Sequence, residues 1–342
     1  MTDPLVTIII PCFNEEGFIS GILEDILQQD YTNELLEVLV IDGMSNDGTQ
    51  EIVKDYHERY PFMRLVLNAK QFVPYALNLG IQQARGEVIA IMGSHARYPQ
   101  RYISTLVHAM YELDADNVGG VCVATSTGAT ARSKAIASAL SSPFGVGNAM
   151  FRIGAGKRMK TDTVTFGCYR RTIFDKIGFF DEELLRNQDD EFNGRLLKNG
   201  GVIWLIPEIK IVYFPRATIK GTRKMFYQYG LFKPLVTAKL GKPATFRQLV
   251  PPLFLLFLVF FLPASFLHPL LRNVFLAGIS LYLLGNFSET LRICLRQHSF
   301  LQALYLPWLF FLIHVSYGYG YLAGIVKFII FRKKVEGVKT SR

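Results

Sequence analysis

The side chains able to do chemistry in this 342-residue chain are concentrated in a few short polar clusters: Pro11-Cys12-Phe13-Asn14-Glu15-Glu16, the stretch from Asp42 through Ser45 and Asp47 to Thr49, Gly93-Ser94-His95, and Asn187-Gln188-Asp189-Asp190-Glu191. In the second cluster, the Asp42 and Asp47 carboxylates with Ser45 and the backbone N–H groups around Gly48 can accept and donate to a nucleobase and a ribose. The same residues also suit a plain turn in which Asp47 or Thr49 caps the next helix. His95 reads both as a loop imidazole and as a metal ligand. In the last cluster, Asn187 is placed to cap a helix burying Phe192, Leu196 and Leu197, and three acids in a first turn suit the helix dipole without any catalytic role.

What must hold these clusters is an alternation of strands and helices. Apolar runs at 5–10, 38–41, 65–67 and 88–92 read as strands buried on both faces. Between and after them, Ile19, Ile22, Leu23 and Ile26, then Ile52, Val53 and Tyr56, then Val73, Leu77 and Ile81, and finally Tyr102, Ile103, Leu106, Val107 and Met110 recur at helical spacing. The pattern predicts a mainly parallel sheet with helices on both faces, and the first three clusters then fall at its carboxyl edge, where open α/β sheets bind ligands. Neither GxxxxGK[ST] nor GxGxxG occurs at a strand-to-helix junction. Further on, 117–124 reads as a strand, 132–150 as an Ala/Ser-rich helix and loop, and 152–161 as a basic segment equally suited to a flap over a diphosphate and to an exposed loop.

Charge divides the chain. Residues 1–208 carry 19 basic and 26 acidic side chains, and the remainder 18 and 2. Basic residues interleaved with aromatics over 209–249 suit helices in a headgroup layer, and apolar segments at 251–271, 274–291 and 301–331 are long enough to cross a bilayer. Glu289 is expected to pair with Arg292 or to face a bundle interior. A cytosolic catalytic region and the basic tail 332–342 ask for an even number of crossings, against three visible segments, so either the first is re-entrant or the third is two elements. Four dispersed cysteines without CxxC spacing exclude a zinc ribbon and a disulfide framework and point to a reducing compartment. Nothing in the pattern suggests a nucleic-acid partner.

The succession Val6–Glu15, Val40–Thr49 and Ala84–Ile89 resembles the amino-terminal half of the family 2 glycosyltransferases, and His95-Ala96-Arg97-Tyr98-Pro99 is similar to their succinoglycan-type, ExoA-like branch. The resemblance covers about residues 5–200 and implies a GT-A fold: a nucleotide-sugar half at 1–99, an acceptor half at 100–208, interfacial helices at 209–249, a transmembrane region at 250–331 and a cytosolic tail. It implies that Pro11, Asn14, Glu15, Asp42, Ser45, Asp47, Gly93 and Ser94 bind the nucleotide sugar, with Asp42 on uracil. His95 stands at the metal position, for Mn²⁺ or Mg²⁺, although Gly93 replaces an expected Asp. Asp189 falls on the general base, and Tyr169, Arg170, Asp190 and Arg195 are assigned to the acceptor or diphosphate side.

The implied activity is inverting transfer of a hexose, glucose from UDP-glucose, to a polyprenyl-diphosphate-linked saccharide by a multi-pass membrane protein whose catalytic domain faces the cytoplasm. A polyprenyl-phosphate sugar synthase and a binding protein without turnover are the alternatives. A processive synthase is disfavoured, because neither Trp204 nor Trp308 follows an Arg.

Overall fold

The computed structural model describes residues 3–216, 218–243, 245–333 and 335. The chain forms two units, one holding the residues up to Val123 and Gly154–Tyr213, the other Ala124–Ile153 and the residues from Phe214 onward.

The first unit begins as the apolar periodicity predicts: β1 (Val6–Cys12), α1 (Ile19–Leu27), β2 (Leu36–Asp42), α2 (Thr49–Arg59), β3 (Met63–Leu67), α3 (Val73–Gln83) and β4 (Val88–Ile91). β1 pairs in parallel with both β2 and β4, and β2 with β3. Val6, Ile8, Ile9, Ile10 and Val38–Ile41 have no exposed surface, as strands covered on both faces require. The helix α1 buries Ile19, Ile22, Leu23 and Ile26, one apolar stripe.

Beyond β4 the sheet changes character. After β5 (Ala96–Arg97), α4 (Tyr102–Glu112) and β6 (Asn117–Ala124), the chain enters the second unit as α5 (Ala131–Leu140), α6 (Pro143–Val146) and α7 (Met150–Ile153). It returns as β7 (Met159–Lys160), β8 (Cys168–Arg170), α8 (Thr172–Ile177), α9 (Gln188–Lys198) and β9 (Ile203–Tyr213). β8 runs antiparallel to β4 and to β6, and β9 antiparallel to β5 and β7, so the sheet among the described residues is mixed, in the order β3-β2-β1-β4-β8-β6-β9-β5 with β7 on β9. The parallel half is the nucleotide half of the sequence reading. β9 also runs past Glu208, the expected boundary, because Ile209 and Ile211 are buried while Glu208 and Lys210 are exposed, an alternation that continues the strand to Tyr213.

The second unit gathers α5–α7 with α10 (Ile219–Leu240), α11 (Val250–Ala264), α12 (Pro269–Gln297) and α13 (Leu306–Gly324). Among the described residues three helices are long and apolar enough to cross a membrane: Phe246–Ala264, Pro269–Gln297 and Leu306–Ile330. Within the third apolar segment a short 3₁₀ helix (Phe300–Leu304) precedes α13, which continues as a π-helical turn (Ile325–Ile330), and the first candidate span is the shortest. Residues 124–153, read from the sequence as part of the acceptor half, pack with these helices: Ala135, Ile136, Ala139 and Leu140 share a buried cluster with Met225, Phe226, Ile293, Leu306, Leu309 and Phe310. Glu289 accepts from Ser142 Oγ at 2.9 Å and lies 3.2 Å from Arg292, so both sequence expectations for it hold.

Candidate active site

Parallel strands bring the first three polar clusters to one edge. Cys12 is registered on Asp42 and Ile9 on Ile91, so the loops following β1, β2 and β4 leave the sheet side by side. Hydrogen bonds then tie them together. Asn14, held at φ +55°, donates its N–H to Ser45 Oγ at 2.8 Å and accepts from Asn46 N at 2.9 Å. Glu15 N donates to Thr49 Oγ1 (2.8 Å) and Glu16 N to Asp47 Oδ2 (3.2 Å). Asp47 also receives the Thr49 N–H and hydroxyl, while the N-cap position of α2 falls on Gly48, without a side-chain cap bond, rather than on Asp47 or Thr49. Against the cost of its desolvation, the Thr49 and Glu16 hydrogen bonds hold the Asp47 carboxyl below its usual range.

Asp42 lies deeper than a surface contact. Its side chain is wholly buried, and its oxygens accept from Ser45 N and Gln50 Nε2, both at 2.8 Å, and from the Ser45 hydroxyl. The Cys12 thiol also donates to it, at 3.8 Å, so four donors meet the four lone-pair positions of the carboxylate, and a base N–H would take the place of the weak thiol donor. Gln50 had no signal in the sequence, since its type is ordinary for an exposed helical position.

His95 closes the edge from the β4 side. Its Nε2 lies 2.9 Å from Glu15 Oε1; the Glu15 side chain is 1% exposed and the imidazole 24%. The Phe18 ring meets the imidazole edge-to-face at 4.4 Å. Glu15, which the resemblance assigns to the nucleotide sugar, has its buried carboxylate against His95. The residues after His95 are a clamp: Arg97 makes a bidentate pair with Asp25 of α1 (2.6 and 2.8 Å), and Tyr98 N donates to the same carboxylate.

The position of Gly93 explains its type. Its N–H donates to the Tyr98 hydroxyl at 2.6 Å, and a Cβ built there would stand 2.4 Å from Cε1 of Phe166. The Phe166 ring, whose backbone sits at φ +54°, fills the volume into which a carboxylate at 93 would project. Ser94 beside it is buried.

Asp189 begins α9. Asn187, expected to cap this helix with its side chain, instead takes a left-handed backbone (φ +61°) and makes no side-chain cap bond. Asp189 Oδ1 accepts from Asp190 N at 3.0 Å. The charge of Asp189, after burial itself, pushes the Tyr169 hydroxyl above its ordinary pKa, which places the carboxylate in the field of β8. Behind it lies a buried polar layer that the sequence reading missed: Asn117 Nδ2 to Asn193 Oδ1 at 2.9 Å and Asn193 Nδ2 to Thr163 Oγ1 at 2.7 Å, with Tyr169 buried beside it.

Three of the residues assigned to the acceptor or diphosphate side are engaged in the framework. Tyr169 is 2% exposed within that layer. Arg170 donates to the carbonyls of Ala115 and Met110 and pairs with Asp114. Arg195 pairs with both oxygens of the buried Glu191 and reaches the carbonyls of Ile177 and Phe179, bracing α9 on the turn after α8. The basic segment at 152–161 resolves in the same way for Arg158, which bridges Glu112 and Glu208.

For a divalent cation, no three His, Cys, Asp or Glu side chains are grouped among the described residues. The chain offers one half-buried imidazole with a buried carboxylate behind it. That donor set fits a cation whose remaining ligands are diphosphate oxygens and water rather than a closed protein cage.

The model of the family described as glycosyl transferase family 2 matches residues 7–178. Over 333 residues, 94% of this chain and 97% of the relative, the sequence is 29% identical to a dolichyl N-acetyl-α-D-glucosaminyl phosphate 3-β-D-2,3-diacetamido-2,3-dideoxy-β-D-glucuronosyltransferase of Methanococcus voltae. It is 28% identical over 253 residues to the succinoglycan biosynthesis protein ExoA of Rhizobium meliloti, covering 73% of this chain and 76% of that one. Among solved structures, a mannosyltransferase of Pyrobaculum calidifontis in complex with GDP-Man and Mn²⁺ superposes with a TM-score of 0.56 over 96% of this chain and 88% of its own, at 19% identity, which shows a shared GT-A fold.

Proposed function

The chain belongs to glycosyl transferase family 2, and on that premise we propose that it moves a hexose, with glucose from UDP-glucose as the donor, onto a saccharide carried by a polyprenyl phosphate or diphosphate in the assembly of a cell-surface polysaccharide. The observation that carries this reading is the joining of the three loops at the carboxyl edge, Asn14 to Ser45, Glu16 to Asp47 and Glu15 to His95. The Methanococcus relative, whose name gives a dolichyl-phosphate-linked acceptor, supports a lipid-linked acceptor here, and ExoA supports exopolysaccharide assembly.

In this reading Asp42 accepts from the base N–H and Ser45 and Asp47 keep the loop around it closed. Asp189 takes the proton of the acceptor hydroxyl as its oxygen bonds to the anomeric carbon and the bond to the diphosphate breaks on the opposite face, which inverts the configuration. A divalent cation, Mn²⁺ or Mg²⁺, held at His95 would supply charge neutralisation for the departing diphosphate. The apolar helices hold the enzyme at a membrane in several passes, the short α11 being the one suited to a re-entrant or interfacial course, with the catalytic unit on the cytoplasmic side where nucleotide sugars are.

The test separates a base from a helix-terminal acid. Asp189→Asn should lower kcat by roughly 10²–10⁴ with donor affinity kept, whereas Asp190→Asn should cost only about 0.3–1 kcal/mol of stability through the dipole. Equal, small losses at both positions, measured at saturating substrates, would mean that Asp189 serves the helix alone.

A further inference from the structure

We propose that Glu15 is the positioning residue for the cation-binding imidazole: its buried carboxylate, paired with the Nε2 side of His95, orients the ring with Nδ1 toward the cation, so that Glu15 acts on the metal through His95 without touching it. This inference rests on the reading that a divalent cation binds with the donor diphosphate.

Two observations meet in it. The first is that the neighbouring position cannot contribute. Any side chain at Gly93 would collide with the Phe166 ring, since even a Cβ would come within 2.4 Å of it, so the imidazole of His95 is left to hold the cation without a carboxylate at 93. A lone neutral imidazole is a modest ligand for Mn²⁺ or Mg²⁺, ions that favour charged oxygen donors, and anything that raises its basicity and fixes its orientation then matters more.

The second is the geometry behind the ring. Glu15 Oε1 lies 2.9 Å from Nε2 as an ion-pair contact, and the carboxylate is 1% exposed while the imidazole is 24% exposed. The carboxylate therefore sits on the protein side of the ring, away from any ligand reaching the edge from solvent. A carboxylate accepting from one ring nitrogen of a metal-bound histidine leaves the lone pair on the other nitrogen and increases its basicity. The surroundings hold the arrangement: Glu15 N is bonded to Thr49 Oγ1, Phe18 packs on the imidazole, and the Arg97–Asp25 pair fixes the chain two residues after His95. Glu15 and His95 are 80 positions apart, so only the parallel pairing of β1 with β4 brings them together.

The experiment uses the full chain purified in detergent, with Mn²⁺ alone, UDP alone and Mn²⁺ with UDP, reading free Mn²⁺ by electron paramagnetic resonance and bound imidazole nitrogen by electron spin echo modulation. The wild type should take up Mn²⁺ in the presence of UDP with a nitrogen signal that His95→Ala abolishes. Glu15→Ala should weaken Mn²⁺ uptake about 10–100-fold, the usual effect of removing an outer-shell partner. Glu15→Gln, which keeps shape and volume and guards against a folding defect in the alanine variant, should weaken uptake in the same direction by less. Glu15→Ala added to His95→Ala should cause no further loss, because Glu15 acts only through the ring.

Wild-type uptake that both Glu15 variants retain in full would overturn the inference and leave the cation reading standing, and so would a further loss in the double variant. A wild type that takes up no Mn²⁺ with UDP would overturn the cation reading itself.

Discussion

Asp42 and Glu37 show how a carboxylate serves two purposes at opposite ends of one strand. Both are wholly buried, but Asp42 sits at the carboxyl tip of β2 with hydrogen bonds from Ser45, Gln50 and the Cys12 thiol, while Glu37, at the other end of that strand, is paired with Arg64 and Arg85 and accepts from Thr7 Oγ1. Asp42→Ala should weaken UDP binding by about 1.5–3 kcal/mol, the range for hydrogen bonds to charged groups. Gln50→Ala, which removes one loop donor and frees an acceptor position, should leave UDP affinity unchanged or tighter. Equal losses in the two variants, measured by calorimetry, would reassign Asp42 to loop closure. For Glu37, the hydrogen bonds from Thr7 and Arg85 and the charge of Arg85 outweigh its desolvation and depress its pKa. A depressed carboxylate contributes stability that is present above its unfolded pKa and lost as pH falls through the lower folded value. The melting temperature of the wild type should therefore drop on acidification below about pH 4.5, and Glu37→Gln, less stable at neutral pH by about 1.5–3 kcal/mol, should show a shallower drop; parallel acid profiles for the two proteins would contradict the assignment.

At the scale of elements, the helices α10 and α13 approach each other by backbone. A Cβ at Gly230 would stand 2.1 Å from the Tyr317 carbonyl oxygen, one at Gly320 2.1 Å from that of Tyr227, and one at Gly324 2.2 Å from that of Leu231. Backbone cannot yield as a side chain can, so Gly320→Ala should cost roughly 1–3 kcal/mol as an overpacking change and lower the melting temperature in detergent; an unchanged melt would show that the helices part without cost. Elements also mark what the sequence made legible. Strands and helices up to Met110 follow their apolar periods because each is covered by its immediate neighbours in the chain. The docking of α5 and α6 did not announce itself, since a stretch of Ala and Ser is buried by close approach to distant helices rather than by its own hydrophobicity. The Glu15–His95 and Asp25–Arg97 pairs were equally silent, being set by how distant elements pack, and Arg195, which the resemblance assigned to the acceptor or diphosphate side, pairs with Glu191 and reaches two carbonyls.

On the scale of the molecule, the split in charge and hydropathy corresponds to two units, a mixed sheet with its polar clusters at one edge and a helical unit able to cross a membrane. That pairing suits an enzyme that meets a water-soluble donor and a lipid-borne acceptor. The measurement that bears most directly on this account gives the purified full chain UDP-[¹⁴C]glucose, with other UDP- and GDP-hexoses in parallel, and polyprenyl-linked saccharides, and follows label into the organic phase together with the anomeric configuration of the product. The account predicts label in the lipid-linked fraction, in a β-linkage from the α-configured donor, abolished by Asp189→Asn. Tight UDP binding with no transfer from any donor, or a product with retained configuration, would contradict it.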